Sequence, residues 1–192
     1  ANVILSSGKD LNINKSNIKA NGGTEGYLQI SAKNNFNLKS SNIDSNTTTN
    51  INAVGNVDVL ASNIKADGLQ ISSGNNVSIE KSSINSQGDA IISSAKNLTL
   101  TNSSLNAQGL IVDSGANLNI NKSNLQTTSA TEGYLQISAK NNFSLNDSNI
   151  DSNTTSVINA GGNVNVLASN IKADGLYISS GNNTSINKSS IS

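Results

Sequence analysis

The stretch GNNVSIEKSSI at residues 74–84 returns in nearly the same form as GANLNINKSNL at residues 115–125. Val77 and Ile79 lie two positions apart, and this alternation is the period of a β-strand and not of a helix. An Asn precedes the first apolar residue, a Ser follows it by five positions, and another aliphatic residue follows it by seven. The stretch therefore predicts a short strand, a polar turn and a second short strand.

The same unit recurs along the whole chain at steps of 20–25 residues, a period that is typical of a solenoid. The position of Val77 is occupied in turn by Leu11, Phe36, Val57, Val77, Leu98, Leu118, Phe143, Val164 and Thr184. Five positions later every unit has a serine: Ser16, Ser41, Ser62, Ser82, Ser103, Ser123, Ser148, Ser169 and Ser189. The preceding position holds Asp10 and then Asn35, Asn56, Asn76, Asn97, Asn117, Asn142, Asn163 and Asn183. Columns of one small polar residue can form hydrogen-bonded ladders between stacked strands, and we prefer this interpretation to a repeated ligand site.

Each unit contains a third alternating stretch, such as Leu28-Gln29-Ile30, and turn-forming Gly, Asn, Asp and Ser residues separate the three stretches. Three short strands and three turns in about 20 residues predict one triangular coil. We therefore expect an all-β fold, a right-handed parallel β-helix with three short strands per rung and about nine rungs. A leucine-rich repeat has a similar period, but its helical half needs apolar residues three and four apart, which the Asn- and Ser-rich segments lack.

A longer repeat lies on top of the short one. Residues 24–83 match residues 131–190 at a constant offset of 107, with few differences. We predict a single continuous β-helix segment over residues 1–192, in which the five-rung block 8–114 is duplicated in residues 115–192 with the second copy truncated. A stack of rungs accepts such a block because each rung contacts only its neighbours.

Composition and charge exclude several functions. The chain has 12 Lys and Arg against 12 Asp and Glu, so its net charge of zero indicates no attraction to nucleic acid or to an anionic membrane. No apolar run approaches the roughly 18 residues of a membrane span. The chain contains no His and no Cys, which removes the usual nucleophile pairs and metal ligands. We therefore predict no catalytic residue, no metal site and no cofactor. The polar bias would also suit a disordered chain, but disorder does not place aliphatic residues on a fixed grid.

The few aromatic residues are the candidates for contacts with a partner. Phe36 and Phe143 fall in an inward column and are predicted to fill the core. Tyr27 and Tyr134 end an inserted corner segment that occurs once in each copy of the long repeat, and the alternative for both is that the ring packs its loop against the coil. Tyr177 falls in mid-strand between two inward residues and should point outward, where Gln70 stands in the other copy, and drift is the alternative to function. The candidate surface contacts are Glu25, Tyr27, Glu132, Tyr134 and Tyr177.

The rungs GANLNINKSNL and GNNVSIEKSSI resemble the haemagglutinin repeat of filamentous haemagglutinin-type exoproteins. This family includes adhesins of two-partner secretion systems and the stick-like proteins of contact-dependent growth inhibition. The resemblance covers essentially the whole chain. It implies a right-handed parallel β-helix, export through an outer-membrane secretion partner, and a long fibre at the bacterial surface that contacts a host or target-cell receptor or glycan.

Two functions from different classes follow. The preferred one is a structural stalk segment of a secreted bacterial surface exoprotein involved in adhesion, present as a monomeric rod that does not insert into a membrane. The alternative is a polysaccharide-processing parallel β-helix enzyme, whose carboxylate clusters often work with Arg, Lys or calcium. The scattered acids and the absence of His and Arg argue against the enzyme.

Overall fold

The chain coils into nine successive rungs in a computed structural model that describes residues 2–129, 131 and 133–192. Rungs 1–3 comprise β1 (Val3–Ser7), β2 (Leu11–Asn14), β3 (Asn17–Ala20), β4 (Tyr27–Ala32), β5 (Phe36–Lys39), β6 (Asn42–Ser45), β7 (Thr48–Ala53), β8 (Val57–Leu60) and β9 (Asn63–Ala66). Rungs 4–6 comprise β10 (Gly68–Ser73), β11 (Val77–Glu80), β12 (Ser83–Ser86), β13 (Ala90–Ser94), β14 (Leu98–Thr101), β15 (Ser104–Ala107), β16 (Leu110–Ser114), β17 (Leu118–Asn121) and β18 (Asn124–Thr127). Rungs 7–9 comprise β19 (Leu135–Ala139), β20 (Phe143–Asn146), β21 (Asn149–Ser152), β22 (Thr155–Ala160), β23 (Val164–Leu167), β24 (Asn170–Lys172), β25 (Gly175–Ser180), β26 (Thr184–Asn187) and β27 (Ser190–Ile191).

The strands stack into three parallel sheets of nine strands each. Sheet 1 contains the first strand of every rung, sheet 2 the second and sheet 3 the third, so each strand pairs with its equivalents in the neighbouring rungs. The register follows the repeat without a slip: Val77 pairs with Val57 on one side and with Leu98 on the other. The predicted parallel β-helix with three strands per rung is therefore confirmed. At about 4.8 Å per strand, nine rungs form a rod on the order of 40 Å long.

The alternating apolar residues point inward and make one continuous core. In β11, Val77 and Ile79 are buried, whereas Ser78 and Glu80 on the other face are only half-buried. Phe36 is fully buried between Leu11 and Val57 of the neighbouring rungs, and Phe143 is equally buried, as predicted. Burial of an aliphatic or aromatic side chain contributes about 1.5–3 kcal/mol, so the repeated inward columns are the main source of stability.

The turn from sheet 2 to sheet 3 has an unusual backbone in every rung. The residue immediately before each serine of the column has a positive φ of 47–51°, although none of these residues is glycine. A side chain in this left-handed conformation costs roughly 1–2 kcal/mol. The positions are Lys15, Ser40, Ala61, Lys81, Asn102, Lys122, Asp147, Ala168 and Lys188.

The serine column offsets this cost by satisfying the backbone of the turn. The hydroxyl of Ser82 donates to the carbonyl oxygen of Glu80 at 2.7 Å, and its Oγ accepts the N–H of Ser62 from the previous rung at 3.1 Å. Ser82 N–H in turn donates to Ser103 Oγ at 3.1 Å. The same N–H to Oγ bond joins all nine serines in one chain, so the predicted ladder is confirmed as a ladder from backbone to side chain.

The asparagine column forms a second ladder with the opposite direction. The N–H of Asn76 donates to Asn56 Oδ1 at 3.2 Å, and the N–H of Asn97 donates to Asn76 Oδ1 at 3.0 Å. The column requires only an acceptor oxygen, and this explains Asp10, whose Oδ1 accepts the N–H of Asn35 at 2.9 Å. Both columns thus hold the corners of the coil together, and their atoms are engaged within the protein.

Candidate functional site

Ionisable side chains are dispersed over the corners and outer faces of the coil. The two ion pairs found among the described residues, Lys81 with Glu80 at 3.5 Å and Lys172 with Asp151 at 3.8 Å, are both well exposed. The same residues contain no group of three His, Cys, Asp or Glu side chains that could hold a metal ion. Asp58 lies on the outer face of sheet 2, where partial burial raises the pKa of its carboxyl. No helix in the described part of the chain is long and apolar enough to cross a membrane.

The outer face of sheet 1 carries two of the five candidate residues, Tyr27 and Tyr177. Because side chains alternate along a strand, every second residue of the sheet 1 strands faces outward and lines up with its neighbours in three columns. The middle column contains Ile4, Gln29, Asn50, Gln70, Ile91, Ile111, Gln136, Val157 and Tyr177. No lysine occurs in any of the nine sheet 1 strands, so this face differs from the rest of the surface.

A shallow open groove lies on this face across rungs 2–4. Gln29, Asn50 and Gln70 form one wall, and Asn52 and Ser72 form the other. We call these five residues the amide groove. Gln29 pairs with Asn50, and Asn50 pairs with Gln70, so the three middle side chains stand in consecutive rungs. None of the five ionises, and all can donate and accept hydrogen bonds.

The amide groove differs in its hydrogen bonding from the asparagine row of rungs 1–3 on sheet 3. On sheet 3, Asn42 Nδ2 donates to Asn17 Oδ1 at 2.9 Å, and Asn63 Nδ2 donates to Asn42 Oδ1 at 3.0 Å. Those side chains use part of their capacity on one another. Within the described residues, the side chains of the amide groove make no hydrogen bond with the protein. Their donors and acceptors therefore face solvent. A second row on sheet 3, Asn85, Asn106 and Gln126, is likewise unbonded within the described residues.

The first corner loop, residues 21–27, contains two of the candidate residues and leads into strand β4, which carries Gln29. Gly23–Glu25 form one turn of 3₁₀ helix, and Glu25 is exposed at its end. Tyr27 is the first residue of β4 and is 37% exposed. It pairs with Thr48, which in turn pairs with Gly68 in the fourth rung, where there is no side chain. Tyr27 is thus an accessible aromatic ring on the strand that also carries Gln29.

Tyr134, the last residue of the second inserted segment, lies against the coil. Tyr134 Oη lies 3.5 Å from Asp89 Oδ2, and its ring lies over Gly109, where an added Cβ would be 3.1 Å from Cε1. Burial, the charge of Asp89 and the hydrogen bond to Asp89 raise the pKa of Tyr134, with burial as the largest cause. Glu132 lies outside the described residues.

Tyr177 stands alone on the outer face of sheet 1 near the far end of the coil. It is 66% exposed and pairs with Val157. The outward orientation predicted for it is confirmed. The three tyrosines therefore do not form one site: Tyr27 and Tyr134 are five rungs apart, about 24 Å along the axis.

Sequence reasoning overlooked the amide groove. A signal was present, because Asn50 and Gln70 are replaced by Val157 and Tyr177 in the second copy of the long repeat. Gln70 entered the sequence interpretation only as the counterpart of Tyr177. What could not be read from the sequence is which amides bond to one another and which remain unbonded.

The architecture defines the class of the protein as a parallel β-solenoid with ladder-stabilised corners and a largely polar surface. A family model described as haemagglutinin repeat matches residues 1–40, 24–102, 76–147 and 130–192, and together these matches span the chain. The chain belongs to the haemagglutinin repeat family. Comparisons with curated proteins and with solved structures gave no significant match.

Proposed function

We propose that this chain is a stalk segment of a secreted bacterial surface protein and that it supplies length to an adhesive fibre. The observation that carries the proposal is the unbroken stack: nine rungs share one register, one core and two continuous hydrogen-bond ladders. A stack with neighbour-only contacts gives a rod whose length is proportional to its number of rungs. Membership of the haemagglutinin repeat family supports a place in surface adhesins.

The proposal includes export through an outer-membrane secretion partner and attachment to a host or neighbouring cell through a receptor or glycan. It also includes a monomeric rod, without nucleic-acid binding and without membrane insertion. Whether the fibre serves attachment or delivery of a toxin depends on the parts that the stalk carries, since a spacer works identically in both.

The test is deletion of residues 8–114 from the protein that contains this segment. The deletion joins Ser7 to Gly115, which is the equivalent of Gly8 at the offset of 107. Every remaining rung keeps a neighbour of its own type, so we expect a folded coil, normal surface display and a fibre shorter by about 24 Å. Attachment should fall only modestly.

A matched variant separates length from a contact carried by the loops. Tyr27→Ala combined with Tyr134→Ala keeps every rung and removes both loop aromatics. If the deletion abolished attachment while display and folding stayed normal, the spacer role would be wrong. Loss of attachment in the double tyrosine variant would place the function in the corner loops.

The enzyme alternative makes a separate prediction. A polysaccharide-processing β-helix should release shorter products from acidic polysaccharides such as polygalacturonate. The dispersed carboxylates of the described residues support our expectation of no turnover. Product release that disappears on substitution of an outward Asp would contradict the stalk proposal.

A further inference from the structure

The amide groove has the properties of a ligand site and not of a structural ladder. Four primary amides and one hydroxyl stand together on a flat face, and none of them is bonded to the protein within the described residues. Amides on sheet 3 show that stacked Asn side chains in this coil do bond to one another, at 2.9 and 3.0 Å. The groove is therefore a place where hydrogen-bonding capacity is concentrated and left unused. The sheet 3 row Asn85, Asn106 and Gln126 shares this property, but no aromatic residue lines it, whereas Tyr27 lies on the strand that carries Gln29.

The electrostatics of this patch restrict the ligand. The outward residues of β4, β7 and β10 include Tyr27, Thr48, Ser31 and Gly68 besides the amide groove, and none is charged at neutral pH. An anionic ligand would find no counter-ion among these strand residues to offset the loss of its hydration, and the acids of the adjoining corners, Glu25 and Asp67, would repel it. An uncharged ligand rich in hydroxyl groups exchanges its hydrogen bonds with water for bonds of the same kind to amides.

The apolar part of the patch fits the same ligand class. Tyr27 is 37% exposed on the strand that carries Gln29, and its column continues with Thr48 and Gly68, which add no bulky side chain. Tyrosine offers an apolar face together with a polar edge, and combinations of Tyr, Ser, Gly and Asn are a common composition of recognition surfaces. The patch spans three strands, about 10 Å, and two steps along each strand, about 13 Å, which is the size of a short oligosaccharide.

We propose that the outer face of β4, β7 and β10 binds an uncharged oligosaccharide, with Gln29, Asn50 and Gln70 bonding to its hydroxyl groups and Tyr27 stacking on a sugar ring. The equivalent face of the second copy does not bind it. There Val157 and Tyr177 replace two of the amides, and Tyr134 is turned toward Asp89. The long repeat thus carries the site in one copy only.

The test uses the chain on an array of linear neutral oligosaccharides, comprising glucans, xylans, mannans and galactans, beside sulfated, sialylated and uronic acid oligosaccharides. We expect binding to at least one neutral oligosaccharide. The variant Asn50→Val with Gln70→Tyr should weaken that binding at least tenfold, and Tyr27→Ala should weaken it as well. The double variant has the residues that the second copy already carries at these positions, so its melting temperature should be unchanged.

Asn106→Val provides the matched control. Asn106 lies in a separate groove on sheet 3 with Asn85 and Gln126, and its substitution should leave saccharide binding unchanged. No binding to any neutral oligosaccharide, binding to charged oligosaccharides alone, or equal binding by the Asn50→Val, Gln70→Tyr variant would each overturn the proposal. Capture of extended peptides from a parallel peptide array in place of saccharides would overturn it too. Deletion of residues 8–114 also removes the amide groove, so the Asn50→Val, Gln70→Tyr variant, which keeps every rung, separates the two proposals. The stalk role fails if the deletion leaves fibre length unchanged or abolishes display, and the saccharide site fails if the variant binds as the native chain does.

Discussion

The two corner loops end in the same four residues, Thr-Glu-Gly-Tyr, yet their tyrosines differ in environment. Tyr27 begins strand β4 and exposes more than a third of its surface. Tyr134 precedes strand β19, and its carbonyl oxygen accepts the N–H of Leu110 at 2.7 Å while its ring approaches Asp89. An identical local sequence has therefore given an open aromatic ring in one copy and a docked one in the other.

Two partners of Tyr134 differ from what Tyr27 meets: the position equivalent to Asp89 lies before residue 1, and the position equivalent to Gly109 holds Asn2. Gly109 lies beneath Tyr134, and a Cβ at this position would be 2.8 Å from Asp89 Oδ1 and 3.1 Å from the tyrosine ring. The equivalent of Gly109 in the first copy is Asn2, whose Oδ1 accepts the N–H of Tyr27 at 3.2 Å. In this solenoid the inward columns determine the fold of the coil, whereas the neighbouring rungs determine the environment of a surface side chain. The predictions below test these two influences.

The largest expected effect is on the inward columns that both copies share. Ile79→Asp places a charge without a partner in a fully buried position and should reduce the free energy of unfolding by about 4 kcal/mol or more. Lys81→Ala changes an exposed side chain in the next turn and should cost less than about 0.5 kcal/mol. Denaturant unfolding of both variants measures the contrast, and similar losses would contradict the inward assignment of Ile79.

The next effect concerns the serine ladder. Ser82→Ala removes the acceptor of Ser62 N–H and the donor to Glu80 carbonyl, and both groups belong to a buried corner. Leaving such groups unsatisfied should cost about 1–3 kcal/mol. Ser83→Ala, at the exposed neighbouring position, is the control and should have little effect. Equal melting temperatures for Ser82→Ala and Ser83→Ala would show that the serine ladder does not stabilise the fold.

A smaller effect is expected when Gly109, which lies beneath Tyr134, is replaced by asparagine, the residue at the equivalent position 2 of the first copy. Gly109→Asn should displace the ring of Tyr134, at a cost of about 1–3 kcal/mol from overpacking. The pKa of Tyr134 should then fall toward its ordinary value of 10.0, because burial and Asp89 raise it in the native protein. Ultraviolet titration of the tyrosines follows this change.

The same group gives a pH dependence with a defined sign. In the native protein, unfolding exposes a tyrosine that ionises at a lower pH than the folded one, so stability from Tyr134 is complete below pH 10 and is lost as the pH rises through the raised pKa. Gly109→Asn should reduce this loss. If Gly109→Asn titrated identically to the native chain, the environment of Tyr134 would not depend on Gly109.

The smallest effect is expected at Asp58, which is Asn165 in the second copy. Partial burial raises the pKa of the Asp58 carboxyl, so its ionised form is disfavoured in the folded state. Asp58→Asn should therefore stabilise the coil slightly at neutral pH, by less than about 0.5 kcal/mol. The gain should decrease as the pH falls through the raised pKa and vanish below 3.8, where folded and unfolded carboxyls are both protonated. A gain independent of pH would point to a cause other than charge.

Most of the fold could be predicted because the core residues of a β-helix recur in the sequence at a fixed spacing. The inward residues Val77 and Ile79, the buried Phe36 and the two polar columns all follow from spacing alone. The positive φ before each serine could not be predicted, because residues as different as Lys81, Ala61 and Asp147 occupy it. The left-handed conformation is stabilised by the serine that follows it, whose hydroxyl bonds to its own rung and accepts an N–H from the previous rung.

The candidate site was less accessible to sequence reasoning. Tyr27, Tyr134 and Tyr177 were identified because aromatic residues are rare in the chain, but their orientations depend on Asn2, Gly109 and the stacking of rungs. The contact roles of Glu25, Tyr27, Glu132, Tyr134 and Tyr177 stay predictions. The amide groove could be identified only from the structure, since its residues come from three rungs and are ordinary polar residues in the sequence.

The central claim is that whole rungs are interchangeable units of length in one continuous coil. Small-angle X-ray scattering of the chain and of the same chain without residues 8–114 tests it most directly. We predict that the maximum dimension decreases by about 24 Å, the height of five rungs, while the cross-sectional radius of gyration stays the same. A deleted chain that unfolds, or one with a changed cross-section, would contradict the account.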